Sequence, residues 1–462
     1  MATVVTEAVD ADYLVVGAGA AGMAFTDALI SNADVSVALV DRRHTVGGHW
    51  LDAYSFVRLH QASAFYGVAS TLLGDGAVQT EGPEAGLQER ATSPEICAYY
   101  ARVLQTRMLA SAKVSFYPNC DYVGDRQFVS RLSGQRYQLD APCRVVDANY
   151  LAPQIPADTP APFGVAEGAR VITVNQLVTL GEAPPGYVIV GSGKTAMDAC
   201  TWLLSNGVDP NAICWVRPRD PWMLNRAVVQ PNPEVFIGMA ADTFQAAAEA
   251  TSADEVFLRL EAAGVMLRID GSVTPTMAKT PTIAGWELDY LRSIDNVIRL
   301  GRLRHVEPER LVFDDSNLAI AKDAVIVHCA ASGLRYPPLV PIWGSEAITV
   351  QNIRAGFPCF GAALAGYVEA TRHDDAEKNR ICPPSPYSNT PTDWARMQAL
   401  GARAAMSFGA EPDIKAWADQ VPLNPARIPP DAPPTAELTA ALERYRTHLE
   451  PGLARLTQLA DG

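Results

Sequence analysis

Two glycine-rich turns carry the most informative chemistry in this 462-residue chain. The first reads Gly17-Ala-Gly-Ala-Ala-Gly22, between an apolar run at 13–16 and a helical stretch at 23–30. In such a turn Gly17 permits the reversal, Gly19 lets backbone approach a pyrophosphate, and Gly22 lets the helix pack close on the strand. The helix start offers unpaired N–H groups and its positive dipole end to phosphate. A second apolar run at 35–40 ends in Asp41, 24 residues beyond Gly17, where a carboxylate can accept from a ribose hydroxyl.

The pattern returns 174 residues later as Gly191-Ser-Gly-Lys-Thr-Ala196, between a strand at 187–190 and a helix at 196–206. Here the following strand, 212–216, ends in Arg217-Pro-Arg219 instead of an acid. A guanidinium can hold a 2′-phosphate through two parallel hydrogen bonds, so Arg217 and Arg219 point to NADP(H). Lys194 and Thr195 stand at the phosphate end of that helix. The plainer reading keeps both arginines as a solvated turn, partly neutralised by Asp220. Gly17, Gly19, Gly22 and Asp41 are thus the expected FAD contacts. Gly191, Gly193, Lys194, Thr195, Arg217 and Arg219 are the expected NADPH contacts.

The elements that must position these turns form an α/β fold: two Rossmann-like dinucleotide-binding domains and a helical C-terminal extension. The expected FAD domain is split in sequence, over 1–165 and 325–400. The NAD(P)H domain is inserted at 170–324, and the extension spans 401–462. A helix is expected at 94–108, with Ser93 as N-cap and Pro94 at its first position. A buried strand is expected at 323–328 and a Gly/Ala-rich helix at 357–370. The stretch 422–434 is proline-rich, and Leu438, Leu442, Tyr445 and Leu449 beyond it make one apolar helical face, suited to packing within the chain or against a partner subunit.

Composition narrows the function classes. Lys and Arg number 37 against 51 Asp and Glu, a net charge of −14, so phosphate-rich nucleic acid is not an expected partner. No apolar run reaches the roughly 20 residues of a membrane span. The first segment, with Glu7, Asp10 and Asp12 ahead of a glycine-rich run, does not read as a signal peptide, which points to the cytoplasm. The eight cysteines include no Cys-x-x-Cys, so neither a metal site nor a dithiol redox pair is expected, and a flavin-dependent disulfide reductase is excluded.

Together these residues resemble the two-dinucleotide-binding-domain flavoproteins, and within them the class B flavin-dependent monooxygenases, over about residues 12–370. Gly47-Gly48-His49-Trp50 stands where those families carry Gly-Gly-x-Trp, and the stretch from Tyr54 to Leu59, followed by Gln61, looks like their segment along the flavin. Pro153-Gln-Ile-Pro156 is similar to their crossing between domains, and 323–333 to their Asp-x-Val-Ile-x-Ala-Thr-Gly strand, although here it reads His328-Cys-Ala-Ala-Ser-Gly333. The resemblance implies FAD and NADPH as cofactors and oxygenation of a small organic molecule by dioxygen through a flavin C4a-(hydro)peroxide.

It also implies a pocket lined by Trp50, Arg58 and Gln61, with Gln61 as the amide touching flavin and nicotinamide. Gly47 and Gly48 would lie against FAD, and Gly361, near the start of the 357–370 helix, beside the reduced ring. His49 and His60 are candidates to orient substrate, and 222–225 and 274–282 to line its channel. One departure keeps alternatives open. Those monooxygenases carry Phe-x-Gly-x-x-x-His before the second turn, whereas Phe163-Gly164 here is followed by no matching glycine or histidine. An NAD(P)H-dependent oxidase or reductase without oxygen insertion fits as well, as does a non-catalytic redox sensor. A homo-oligomer is compatible with all three.

Overall fold

The computed structural model describes residues 6–140, 142–429 and 431–461. Met1–Val5 and Gly462, at the ends of the expected units, and Pro430 of the proline-rich stretch lie outside that range.

Two five-stranded parallel sheets organise the chain. In the first, Tyr13–Val16 is central, between Val37–Val40 and Arg144–Asp147, with Val114–Tyr117 and Ile348–Thr349 at the edges. In the second, Tyr187–Val190 lies between Ile213–Val216 and Val325–His328, with Val297–Ile298 and Val171–Thr173 outside them. The central strands are apolar runs because helices or loops cover both faces, as parallel sheets require. The helices Ala20–Asn32 and Pro358–Thr371 pack along one another on the first sheet. A Cβ on Gly366 would collide with the Phe25 carbonyl oxygen, so this crossing needs glycine.

Two expectations need correction. The strand at 325–328 was assigned to the second segment of the first domain, but it pairs on both sides within the second sheet. The second unit therefore extends past 324, and the chain re-enters the first sheet only at Ile348–Thr349. The helix Ser93–Val103 is capped by Thr92, not Ser93: the Thr92 hydroxyl accepts from the Glu95 N–H, and the Glu95 carboxylate accepts from the Thr92 N–H at 2.7 Å. That frees Ser93 to donate to the Trp50 carbonyl at 3.0 Å, which ties the helix to the Gly-Gly-x-Trp turn.

The C-terminal region folds back on its own chain. Helix Pro391–Gly409 begins ten residues before the expected extension. The terminal helix Ala436–Asp461 lies along Pro233–Glu249 and also touches Pro391–Gly409. Leu438 packs with Ile237, and Tyr445 meets the edge of Phe244. The apolar face read from the sequence is thus spent within the chain.

Candidate functional site

A cavity of about 1640 Å³ opens along the seam between the two sheets and the C-terminal helices. Its walls include Gly19, Asp41 and Gly48 at one end, Trp50 and Gln61 along its length, Gly193 and Thr195 from the second turn, and Phe357 and Tyr445 at the far side.

The first turn is built as the glycine pattern requires. Gly17 has φ +105°, and a Cβ there would come within 2.5 Å of Asn149 Oδ1. A Cβ on Gly22 would collide with the Gly17 carbonyl oxygen, so helix and strand touch backbone to backbone. Gly47 and Gly48 both adopt positive φ, and a Cβ on Gly48 would lie 2.9 Å from the Gly19 Cα. Two backbones thus flank one end of the cavity with no side chain between them. Asp41, 6% exposed, accepts from the Ala18 N–H at 2.7 Å and the Arg43 N–H at 2.8 Å. Each carboxylate oxygen keeps a further lone pair toward the cavity that Asp41 lines.

Trp50 is nearly buried, and its indole N–H donates to the Tyr66 hydroxyl at 2.6 Å, which fixes the ring at the wall. Gln61 lines the cavity as expected. Arg58 does not: it points out to solvent, with one long bond to the Arg90 carbonyl at 3.4 Å. Its neighbours Val57 and Leu59 are buried, and alternation along extended chain sends Arg58 to the opposite side. Gly361 also stays outside. A Cβ there would come within 3.0 Å of the Ile353 N, so it serves helix-to-loop packing while Phe357 and Pro358 reach the cavity.

At the second turn the open position is Gly193, where a Cβ would meet nothing within 4 Å, whereas Gly191 packs against the Cys329 carbonyl. The cations are placed otherwise than expected. Lys194 is buried and paired with Asp198 and, at 3.3 Å, with Glu287, so its charge is already compensated. Arg217 is 1% exposed, lies over the Trp215 ring at 4.4 Å and pairs with Asp220 at 2.9 Å. Burial pulls its pKa down from the usual arginine range. Only Arg219 is exposed, and its backbone N–H reaches the Ser192 hydroxyl in the turn itself at 3.4 Å.

Both histidines line the cavity as neutral rings. Burial, aided by the Arg43 charge, pushes His49 down to about 4, and burial with Lys194 nearby pushes His60 down to about 3. Met277 and the segment 279–282 line the cavity, as does Leu224, but Trp222 is fully buried, stacked on Phe257. Beside Phe163-Gly164, strands distant in sequence supply histidines: His328 meets the Phe163 ring edge-on at 5.8 Å, and His305 packs against Gly164. The eight cysteines are free, and all but Cys97 are buried.

Sequence reasoning overlooked two features. Tyr54 donates to Asp198 at 2.6 Å, which joins the flavin-side segment to the second turn. Asn352, Arg354 and Tyr445 also line the cavity. A signal for Arg354 was present: it is the lone charge between Ile348 and Tyr367.

A family model for an NAD(P)-binding Rossmann-like domain matches residues 15–68, the first turn through Trp50 and beyond. Uncharacterized proteins of Mycobacterium tuberculosis (strain H37Rv) and Mycobacterium bovis are 40% identical over 420 residues, 90% of this chain and 78% of theirs. Among solved structures, ε-caprolactone-bound cyclohexanone monooxygenase in its Loose conformation superposes with a TM-score of 0.51 at 14% identity, over 88% of this chain and 98% of that one. At that identity the likeness is one of fold.

Proposed function

From a chain that belongs to the same family as these mycobacterial proteins and has the fold of the flavin monooxygenases, we propose an FAD-dependent oxidoreductase that takes hydride from NADPH and oxygenates a small organic molecule with dioxygen. The observation that carries this is one cavity reached by both glycine turns, with Trp50 and Gln61 between them. Gly19 and Gly48 pack backbone on backbone and present no side chain to the cavity, which fits the close approach of a pyrophosphate, and Asp41 fits a ribose. FAD, when bound, supplies hydride acceptance and oxygen activation. The protein supplies placement and dryness.

Gln61 offers an amide that can donate and accept at the ring system, and Trp50 gives it a rigid apolar wall. His49 and His60, neutral at physiological pH, add no charge and hold little water. Arg219 is the exposed guanidinium that takes the 2′-phosphate, exchanging its weak 3.7 Å contact with Met277 Sδ, while Arg217, locked on Trp215, positions the turn that carries it. The missing Phe-x-Gly-x-x-x-His pattern favours a second reading, an NADPH oxidase or reductase without oxygen insertion.

Rapid-mixing absorbance of the FAD-loaded protein tests this. NADPH should bleach the flavin at least tenfold faster than NADH, and Arg219→Ala should raise the KM for NADPH about tenfold while leaving NADH unchanged. Equal losses with both nucleotides would remove that role from Arg219. On mixing the NADPH-reduced protein with dioxygen, an oxygenated-flavin absorbance that persists before peroxide appears supports oxygenation, and immediate reoxidation with stoichiometric peroxide supports the second reading. A protein that retains no FAD after reconstitution would overturn both.

A further inference from the structure

Most buried arginines near the seam are matched by acids. Arg226, 0% exposed, meets Glu84 at 2.7 Å and Glu287 at 2.6 Å; Arg90 meets Glu84 at 2.5 Å, and Arg217 meets Asp220. Arg354 differs. Among the described residues no carboxylate lies within ion-pair distance of this half-buried side chain; its Nε, like the Nε and Nη1 of Arg217, is buried without a hydrogen-bond partner, and the only charged or titratable group felt beside it is the Tyr445 phenol. Phe360 and Phe408 flank the guanidinium at 5.9 and 5.7 Å, near the limit for a cation over a ring, and offer no acceptor for its N–H groups. Burial also draws its pKa down to about 10, so the group stays charged at neutral pH.

Arg354 is half-buried: its Nε is shut from water without an acceptor, and the side chain borders the cavity, where an anionic ligand can supply the missing partner. The surroundings say which partner. Arg354 faces the cavity beside Met397, Ala405, Leu442 and Leu449, from the helices Pro391–Gly409 and Ala436–Asp461. These walls are mostly apolar, with the uncharged amides of Asn352 and Gln398 as polar groups, and the glycine backbone suited to phosphates lines the same cavity. One guanidinium neutralises one negative charge, and its planar fork matches a carboxylate. A phosphate dianion would leave a charge uncompensated among these side chains.

We propose that Arg354 is a substrate anchor, and that the molecule this protein acts on is a monocarboxylate with an apolar body, its carboxylate held by Arg354 within reach of Tyr445. What then happens to the molecule rests on the oxygenase reading; that it binds here does not.

Calorimetric titration of the protein as purified, with its flavin content recorded, separates the two. The probes are octanoate and its neutral counterpart octanamide. Octanoate should bind at least tenfold more tightly. Arg354→Gln should cost octanoate at least tenfold and leave octanamide within twofold, and Arg354→Lys, which keeps charge but loses the fork, should fall between. Equal affinity of the two probes for the unaltered protein would overturn the proposal, and that comparison needs no variant to fold. An undiminished octanoate preference in Arg354→Gln, or loss of bound FAD as that variant's main defect, would overturn it too. A protein reduced normally by NADPH yet indifferent to the carboxylate would end this proposal and spare the function. Octanoate preference in a protein that never binds flavin would do the reverse.

Discussion

His49 and His60 show how the site settles a protonation state without any acid–base partner. Each ring keeps only cavity-side exposure, and burial favours the neutral form over an imidazolium beside Arg43 or Lys194. The folded pKa values, about 4 and about 3, lie below the 6.5 of a free histidine. The sign follows: the unfolded chain takes up protons as pH falls below 6.5 while the folded chain does not. Both histidines therefore contribute stability that is complete above pH 6.5 and is lost as pH falls toward 4. From pH 6.5 to 5.5 the expected loss is roughly 1 kcal/mol per ring. Denaturant unfolding at both pH values should show it, with His328 adding in the same direction, and His60→Asn should remove one ring's share, roughly 1 kcal/mol of the loss. An unchanged slope would mean that His60 titrates normally in the folded chain. Carboxylates held down by ion pairs, such as Glu287 beside Lys194 and Arg226, add their own loss only at lower pH.

The same contacts join secondary elements that the sequence keeps far apart. Arg226, just after strand Met223–Asn225, bridges Glu84 of the first unit and Glu287 on helix Gly285–Arg292 of the second, and it also donates to the His60 carbonyl at 2.8 Å. Removing one member of a buried ion network costs more than the network contributes, because uncompensated charges remain. Arg226→Met is expected to lower unfolding stability by about 3 kcal/mol or more, whereas Arg58→Met, on the solvent side, should change it by under about 0.5 kcal/mol. Equilibrium denaturation of the two variants checks the contrast. It also marks what a sequence can convey. The strands Tyr13–Val16 and Tyr187–Val190 were legible to the residue, because each is an apolar run closed by a glycine whose backbone shape admits little else. The place of Asp41 on the cavity was legible from its spacing after the first turn, and that of Trp50 and Gln61 from the resemblance to the flavin monooxygenases. Arg217, Lys194 and the strand Val325–His328 were not. Whether a guanidinium turns outward depends on Trp215 and Asp220 folding beneath it, and which sheet a strand joins is decided by partners more than a hundred residues away.

For the molecule as a whole, the cavity is closed by the end of the chain. Leu442, Tyr445 and Leu449 form one wall only because helix Ala436–Asp461 lies against Pro233–Glu249. Gly452 sets how closely these helices approach: it is buried, and a Cβ there would collide with the Phe244 carbonyl oxygen. Phe244 in turn holds Tyr445 edge-on at 5.5 Å. Gly452→Leu should therefore lever the terminal helix outward and admit water, while both glycine turns, which lie on other elements, stay intact. The expected result is normal FAD content and NADPH reduction rate, with the steady rate of peroxide release in the absence of substrate at least doubled, because a wetter site protects activated oxygen less well. Peroxide and reduction assays on the purified variant decide it. An unchanged rate of peroxide release in a variant whose Tm has dropped would show that the helix only packs and does not seal. A slower flavin reduction would instead place the terminal helix in control of the nucleotide sites, through its packing on Pro233–Glu249.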